Sequence, residues 1–190
     1  MKAAKSAFLR DGYAAVSTDQ LCREAGVSKT TLYRYFGDMS GVLKAVVKRE
    51  GDTFSFDDKP LPETEESYWL AMREYGVYLL RLLNTQFAIQ LDRTMHEEAR
   101  KHPDTVVLFY ENAYGRSHKD LTRLMEHGKR AGFIRRPHSA VDLADYVICM
   151  WEGLAFVKTR LAMIDKPYAQ PKRRVESVLK ALFADHELPF

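Results

Sequence analysis

Apolar residues recur along this chain at spacings of three and four, and no stretch alternates apolar with polar residues as a half-buried strand would, so the pattern predicts an all-α fold. Gly12, Gly26 and Gly37 cut the first 55 residues into short helices. The acidic, proline-containing stretch Asp57-Asp58-Lys59-Pro60-Leu61-Pro62-Glu63 then interrupts the pattern, which predicts a small N-terminal domain with its connecting helix over residues 1–54 and a larger helical domain over 55–190. Beyond it the helices lengthen. Residues 63–84 carry Trp69, Met72, Tyr75, Leu79 and Leu82 on one face, and residues 86–102 end at the pair His102-Pro103. A helix over 103–131 is expected, with Val107, Tyr110, Tyr114, Leu121, Leu124 and Gly128 in register and Gly132 as its stop. Ser139, with Asp142 three residues later, starts a helix reaching about residue 163, and a last helix over 172–185 follows Pro167 and Pro171.

The segment from Ser17 to Phe36 is the most informative. Ser17 and Gln20 stand as an S-x-x-Q capping box, and the short helix they open carries Leu21, Cys22 and Ala25 inward before Gly26 turns the chain. Ser28 caps a second short helix. There Leu32 and Phe36, four apart, share the face that packs on the first helix and on Ala4, Ala7 and Phe8, while Lys29, Thr30, Tyr33 and Arg34 point away. Two short helices joined by a tight glycine turn, the second bearing small polar, aromatic and basic residues, match a helix-turn-helix whose second helix enters a DNA major groove. Hydroxyls and lysine suit base edges; tyrosine, arginine and helix N-termini suit phosphates.

From Ala3 to about Val47 the chain resembles the N-terminal domain of the TetR-type one-component regulators. The resemblance rests on Ala3-Ala4, Phe8-x-x-x-Gly12-Tyr13, Ser17, Leu21 and the unbroken Ala25-Gly26-Val27-Ser28-Lys29-Thr30-Thr31-Leu32-Tyr33-Arg34-Tyr35-Phe36. It implies a homodimeric DNA-binding repressor: a three-helix helix-turn-helix domain followed by a larger helical domain for ligand binding and dimerisation. Thr30 and Thr31 would then face bases, with Lys29 and Arg34 reaching bases or phosphates. Ser17, Thr18, Tyr33 and Tyr35 would touch backbone, and Ser28 belongs to the same DNA-binding set. Two departures stand out. Met39 occupies a position where the family usually has a phosphate-contacting lysine, a role open to Lys44 or Lys48. The match also begins almost at the Ala-Ala pair, so the first helix is about a turn shorter than usual and lacks a basic arm; either DNA affinity is modest or the native N-terminus lies upstream.

One helix-turn-helix covers about half an operator, so a two-fold dimer on a palindromic or near-palindromic double-stranded operator is expected. The two C-terminal helices supply the apolar stripes for it: Val147, Leu154, Val157 and Leu161 on one, Val175, Val178, Leu179 and Leu182 on the other. The same stripes would also fill a core within one chain. Large adaptable side chains are abundant in the C-terminal domain: Trp69, Met72, Tyr75, Leu79, Phe87, Met95, Phe109, Tyr110, Tyr114, Met150 and Trp151 would line a pocket for a hydrophobic or aromatic small molecule, or serve as plain core.

Composition narrows the alternatives. With 46% hydrophobic and 29% charged residues among 190, the chain is of ordinary globular make-up. Its net charge of +3 decides little until it is located: residues 1–54 hold nine basic and six acidic residues, whereas the remainder is balanced. The longest uncharged run, residues 82–91, includes Asn84, Thr85, Gln86 and Gln90, so no membrane span is expected; with no signal-peptide pattern at the N-terminus, a cytoplasmic location is. Cys22 and Cys149 are expected as buried, inert thiols, and the six histidines as solvated surface. No metal or other cofactor is expected. An enzyme would need a nucleophile with its base, paired carboxylates or metal ligands, and none can be traced. A regulator of the same fold that activates, or acts without a ligand, stays open beside the repressor.

Overall fold

The computed structural model describes residues 1–51 and 60–190; the domain boundary expected between residues 54 and 55 lies outside them. The described elements are helical. They are α1 (Lys2–Asp11), a 3-10 turn (Tyr13–Ala15), α2 (Thr18–Ala25), α3 (Lys29–Phe36), α4 (Met39–Gly51), α5 (Glu65–Leu83), α6 (Gln86–Glu98), α7 (Pro103–Asn112), α8 (Tyr114–Arg130), α9 (Ala140–Arg160) and α10 (Pro171–Leu182). They pack as two compact units: Met1–Thr53 with Gln86–Arg116, and Phe54–Thr85 with Ser117–Phe190. Thus α6 and α7 group with the N-terminal helices, a grouping that the order of elements along the chain does not reveal.

The first unit closes around Ala4, Ala7 and Phe8 of α1, Leu21 and Cys22 of α2, Leu32 of α3 and Val42, Leu43, Val46 and Val47 of α4. Phe87, Leu91 and Met95 of α6 and Phe109 of α7 complete that core, with Phe36, Met39 and Tyr114 partly buried against it. Met39 therefore serves packing at the start of α4. The α4 N-terminus is capped by Asp38, whose carboxylate accepts the Gly41 N–H at 2.8 Å. Lys44 and Lys48 are exposed on the same helix.

In the second unit α5 supplies Tyr68, Trp69, Met72, Tyr75, Leu79 and Leu80, all buried, with Thr64 and Ser67 forming a reciprocal cap at its start. Leu121, Leu124 and Met125 of α8, Val147 and Trp151 of α9 and Val175 and Leu179 of α10 are buried in the same unit. Trp69 meets Phe183 at 5.0 Å and Tyr68 at 5.0 Å between ring centroids. Asn84 locks onto the loop before α10: its amide donates to the Tyr168 carbonyl at 2.7 Å and its oxygen accepts the Tyr168 N–H at 3.0 Å.

Several expectations from the sequence are revised. The helix expected over 103–131 is two helices, because Ala113 departs from helical geometry (φ −112, ψ −85). This resets the register between Phe109, buried in the first unit, and Leu121 and Leu124, buried in the second. Val107 and Tyr110, expected on the same apolar stripe, are more than half exposed. Helix α9 starts at the Ser139 cap as expected but breaks at Gly153 (φ 53, ψ −164). Cys22 is buried, but Cys149 is exposed, because it lies off the α9 stripe of Leu143, Ala144, Val147 and Trp151 that turns inward. His186 is buried as well: the chain after α10 folds back so that its imidazole lies 5.4 Å from the Trp69 ring.

Candidate nucleic-acid interface

The interface is built from three local devices. Ser17 Oγ accepts the Gln20 N–H at 3.2 Å and opens α2. Gly26, in the left-handed conformation (φ 67, ψ 33), ends it; a side chain there would be strained. Ser28 Oγ then accepts the Thr31 N–H at 3.1 Å and opens α3. Only half of the expected Ser17–Gln20 capping box forms, because the Gln20 amide donates to Asp11 at 2.5 Å and to Glu24 at 3.1 Å. There it joins Arg10, which donates to the same two carboxylates at 2.7 and 2.6 Å. The arginine hydrogen bonds, and then those of Gln20, hold both carboxyl groups below their ordinary range. This cluster ties α1 to α2 at the surface. Sequence periodicity gives no sign of it, since its members are polar residues up to fourteen positions apart.

On α3, Leu32 is buried and Phe36 half-buried, while Lys29, Thr30, Tyr33, Arg34 and Tyr35 are exposed. Ser17 and Ser28 are exposed caps and Thr18 is half-buried. Thr31 is half-buried too, its hydroxyl 3.0 Å from that of Ser28, so it supports the cap and is less open than Thr30. The Arg34 guanidinium lies 4.9 Å above the Tyr35 ring. Lys29 donates to Asp19, on the first turn of α2, at 2.7 Å, and this bond raises the pKa of the ammonium. The exposed surface of α3 thus combines a small hydroxyl, two tyrosines and two cations on a short helix whose apolar face is anchored in the core.

This geometry is that of a helix-turn-helix, and the chain compares with known proteins accordingly. Residues 1–46 match the family model described as bacterial regulatory proteins, tetR family. Residues 70–185, more than half of the chain, match the one described as AefR-like transcriptional repressor, C-terminal domain. The chain belongs to the TetR family.

Solved TetR-family structures share the fold along nearly its whole length. A TetR regulator from Agrobacterium tumefaciens superposes with a TM-score of 0.75 at 22% identity, covering 95% of this chain and 90% of that one. A flavonoid-responsive regulator, FrrA, gives 0.73 at 23% identity, covering 97% and 93%. A putative TetR-family regulator from Mesorhizobium loti MAFF303099 gives 0.73 at 19%, with the same coverage. No curated protein sequence matches significantly. The TetR family consists of DNA-binding transcriptional regulators, not enzymes. No helix among the described residues is long and apolar enough to cross a membrane.

The residues expected in a ligand pocket of this TetR-family chain do not fall in one unit. Trp69, Met72, Tyr75, Leu79 and Trp151 are buried in the second, where Met150 is exposed. Phe87, Met95 and Phe109 are buried in the first, with Tyr114 half-buried and Tyr110 exposed. The residues expected to dimerise divide as well. Leu154, Val157 and Leu161 are exposed, Leu154 by 76%, and Leu182 is half-buried. Val147, Val175, Val178 and Leu179 instead fill the chain's own core, so only part of each apolar stripe is left on the surface.

Proposed function

We propose that this TetR-family chain is a homodimeric repressor that binds a palindromic operator through α3 and leaves it when a hydrophobic or aromatic small molecule binds the C-terminal helical domain. The observation that carries the DNA reading is α3 itself, capped by Ser28 and anchored by Leu32, with Lys29, Thr30, Tyr33 and Arg34 on its exposed surface. Thr30 and Lys29 face base edges; Tyr33, Tyr35, Arg34, Ser17 and Thr18 serve the phosphate backbone. Two such heads per dimer, about 34–36 Å apart, reach successive major grooves. The exposed Leu154, Val157 and Leu161 support α9 as a contact between subunits.

The match to an AefR-like transcriptional repressor domain supports repression. Trp69, Met72, Tyr75 and Trp151 give the C-terminal domain a buried apolar interior rich in aromatic rings, and the flavonoid-responsive neighbour makes flavonoids the first compounds to try. Such a ligand acts by binding more tightly when the heads are misplaced, which shifts the dimer off DNA. The test starts from an operator selected out of a random duplex pool. Binding should fall steeply as salt rises, and Thr30→Ala or Tyr33→Ala should abolish it in folded protein. If both variants bind as well as the parent, the reading face is misassigned. A flavonoid that binds tightly yet leaves operator affinity unchanged would refute the release mechanism.

A further inference from the structure

Among the cations of the DNA-reading head, Lys29 and Arg34 are in different states. Arg34 lies over the Tyr35 ring, with no carboxylate beside it among the described residues. Lys29 is held by Asp19, Nζ to Oδ1 2.7 Å, with the two side chains still 52% and 71% exposed. The Gly26 turn creates this pair by bringing the first residue of α3 beside the first turn of α2. Neither residue makes another ion pair among the described residues.

We propose that Asp19 is a specificity-determining residue: it clasps the Lys29 ammonium, cancels the charge that would draw this side chain to any phosphate, and leaves the remaining N–H donors free to read acceptors on a base edge. The inference rests on α3 being the helix that enters the groove. An ammonium has three donors, and one carboxylate oxygen engages one of them. Attraction to phosphate depends on net charge and supplies sequence-independent binding. Recognition of guanine O6 and N7, which are neutral acceptors, needs only hydrogen bonds. A neutralised but still donating lysine therefore loses more on arbitrary DNA than on an operator that presents the right base. The exposure of the clasped pair keeps those donors accessible, and the bond to Asp19 fixes the direction in which they point.

The test compares the full-length parent with Asp19→Asn, Lys29→Gln and the double variant on a selected operator and on a scrambled duplex of equal length, across a range of salt. For Asp19→Asn, scrambled-duplex binding should tighten several-fold and its salt slope should steepen by about two per dimer, one released lysine per subunit. Operator affinity should change by a smaller factor, so that the ratio of operator to scrambled-duplex affinity falls. Lys29→Gln should weaken operator binding and leave the scrambled duplex unaffected, and the double variant should bind the scrambled duplex no better than Lys29→Gln. Thermal melting checks that each variant is folded. If Asp19→Asn tightens both duplexes by the same factor, or does so equally in the Lys29→Gln background, Asp19 merely repels phosphate and the proposal is overturned. A parent that binds no duplex overturns the DNA reading itself, and the clasp with it; a parent that binds while its specificity ignores Asp19 overturns the clasp alone.

Discussion

A methyl group added at Gly128 would lie 2.6 Å from Cζ of Tyr68 and 2.7 Å from its hydroxyl oxygen. Tyr68 has no room to yield: it is fully buried, its hydroxyl faces Met125 Sδ at 3.8 Å, and its ring packs edge-on to Trp69. Gly76 stands in the same relation to Trp151 and Val175, with approaches of 2.7 and 2.8 Å. Alanine at either site gains about 1 kcal/mol of helix propensity but meets an overpacking cost of about 1–3 kcal/mol. Both variants should therefore melt below the parent, by roughly 2–4 °C for each net kcal/mol lost in a domain of this size. A melting temperature at or above the parent's would show that the α5 packing relaxes freely.

The break in α9 at Gly153 frees carbonyls, and Arg174 takes them up, donating to Trp151 O and, at 2.8 Å, to Met150 O. Tyr168 donates its hydroxyl to Glu152 O at 3.2 Å, which satisfies a third. Arg174→Ala should cost about 1.5–3 kcal/mol per charged hydrogen bond lost, measured by urea unfolding, and Arg174→Lys should recover part of it. Gly153→Ala should also destabilise, since its positive φ disfavours a side chain and the new methyl would displace the Arg174 guanidinium.

Acid should loosen the joint between α1 and α2. The carboxyl groups of Asp11 and Glu24 are held below their ordinary values by hydrogen bonds, chiefly from Arg10. The native state thus binds fewer protons there than the unfolded chain, and their contribution is present above the ordinary carboxylate range and lost as pH falls through the lowered values. Amide exchange in α1 and α2 should rise on acidification below about pH 4, an increase that Arg10→Met should largely remove. Identical acid profiles for parent and variant would dismiss the cluster as a pH-dependent tie.

Dimerisation should depend on the second half of α9. Leu154→Arg or Leu161→Arg changes an exposed side chain and leaves the intramolecular core intact, so each should yield a folded monomer by analytical ultracentrifugation. Operator affinity should then drop by roughly 10²-fold or more, as the second half-site no longer benefits from linkage. Dimers of undiminished stability would move the subunit contact to another surface.

Ser17, Gly26 and Ser28 need only their immediate neighbours to cap and turn the chain, so the helix-turn-helix and its exposed Lys29, Thr30, Tyr33 and Arg34 were legible from local chemistry. The same holds for the α9 start at Ser139, where the hydroxyl accepts the Asp142 N–H at 3.0 Å. Periodicity also marked the apolar faces of α5 and α10, because a helix must bury its stripe somewhere. It did not say against what.

Val147 and Leu179 meet their own chain while Leu154 and Leu161, beyond the break at Gly153, remain exposed, a division that no period records. The association of α6 and α7 with the first unit, and the meeting of Asp19 with Lys29 and of Arg10 with Glu24, likewise exist only after separate helices have packed. The sequence by itself determined most of the helices, the Ser17, Ser28 and Ser139 caps and the exposed face of α3, since those follow from interactions within a few residues. Tertiary structure alone decided which apolar faces are core, which are surface and which charges are neutralised, since these depend on neighbours that only the folded chain brings together.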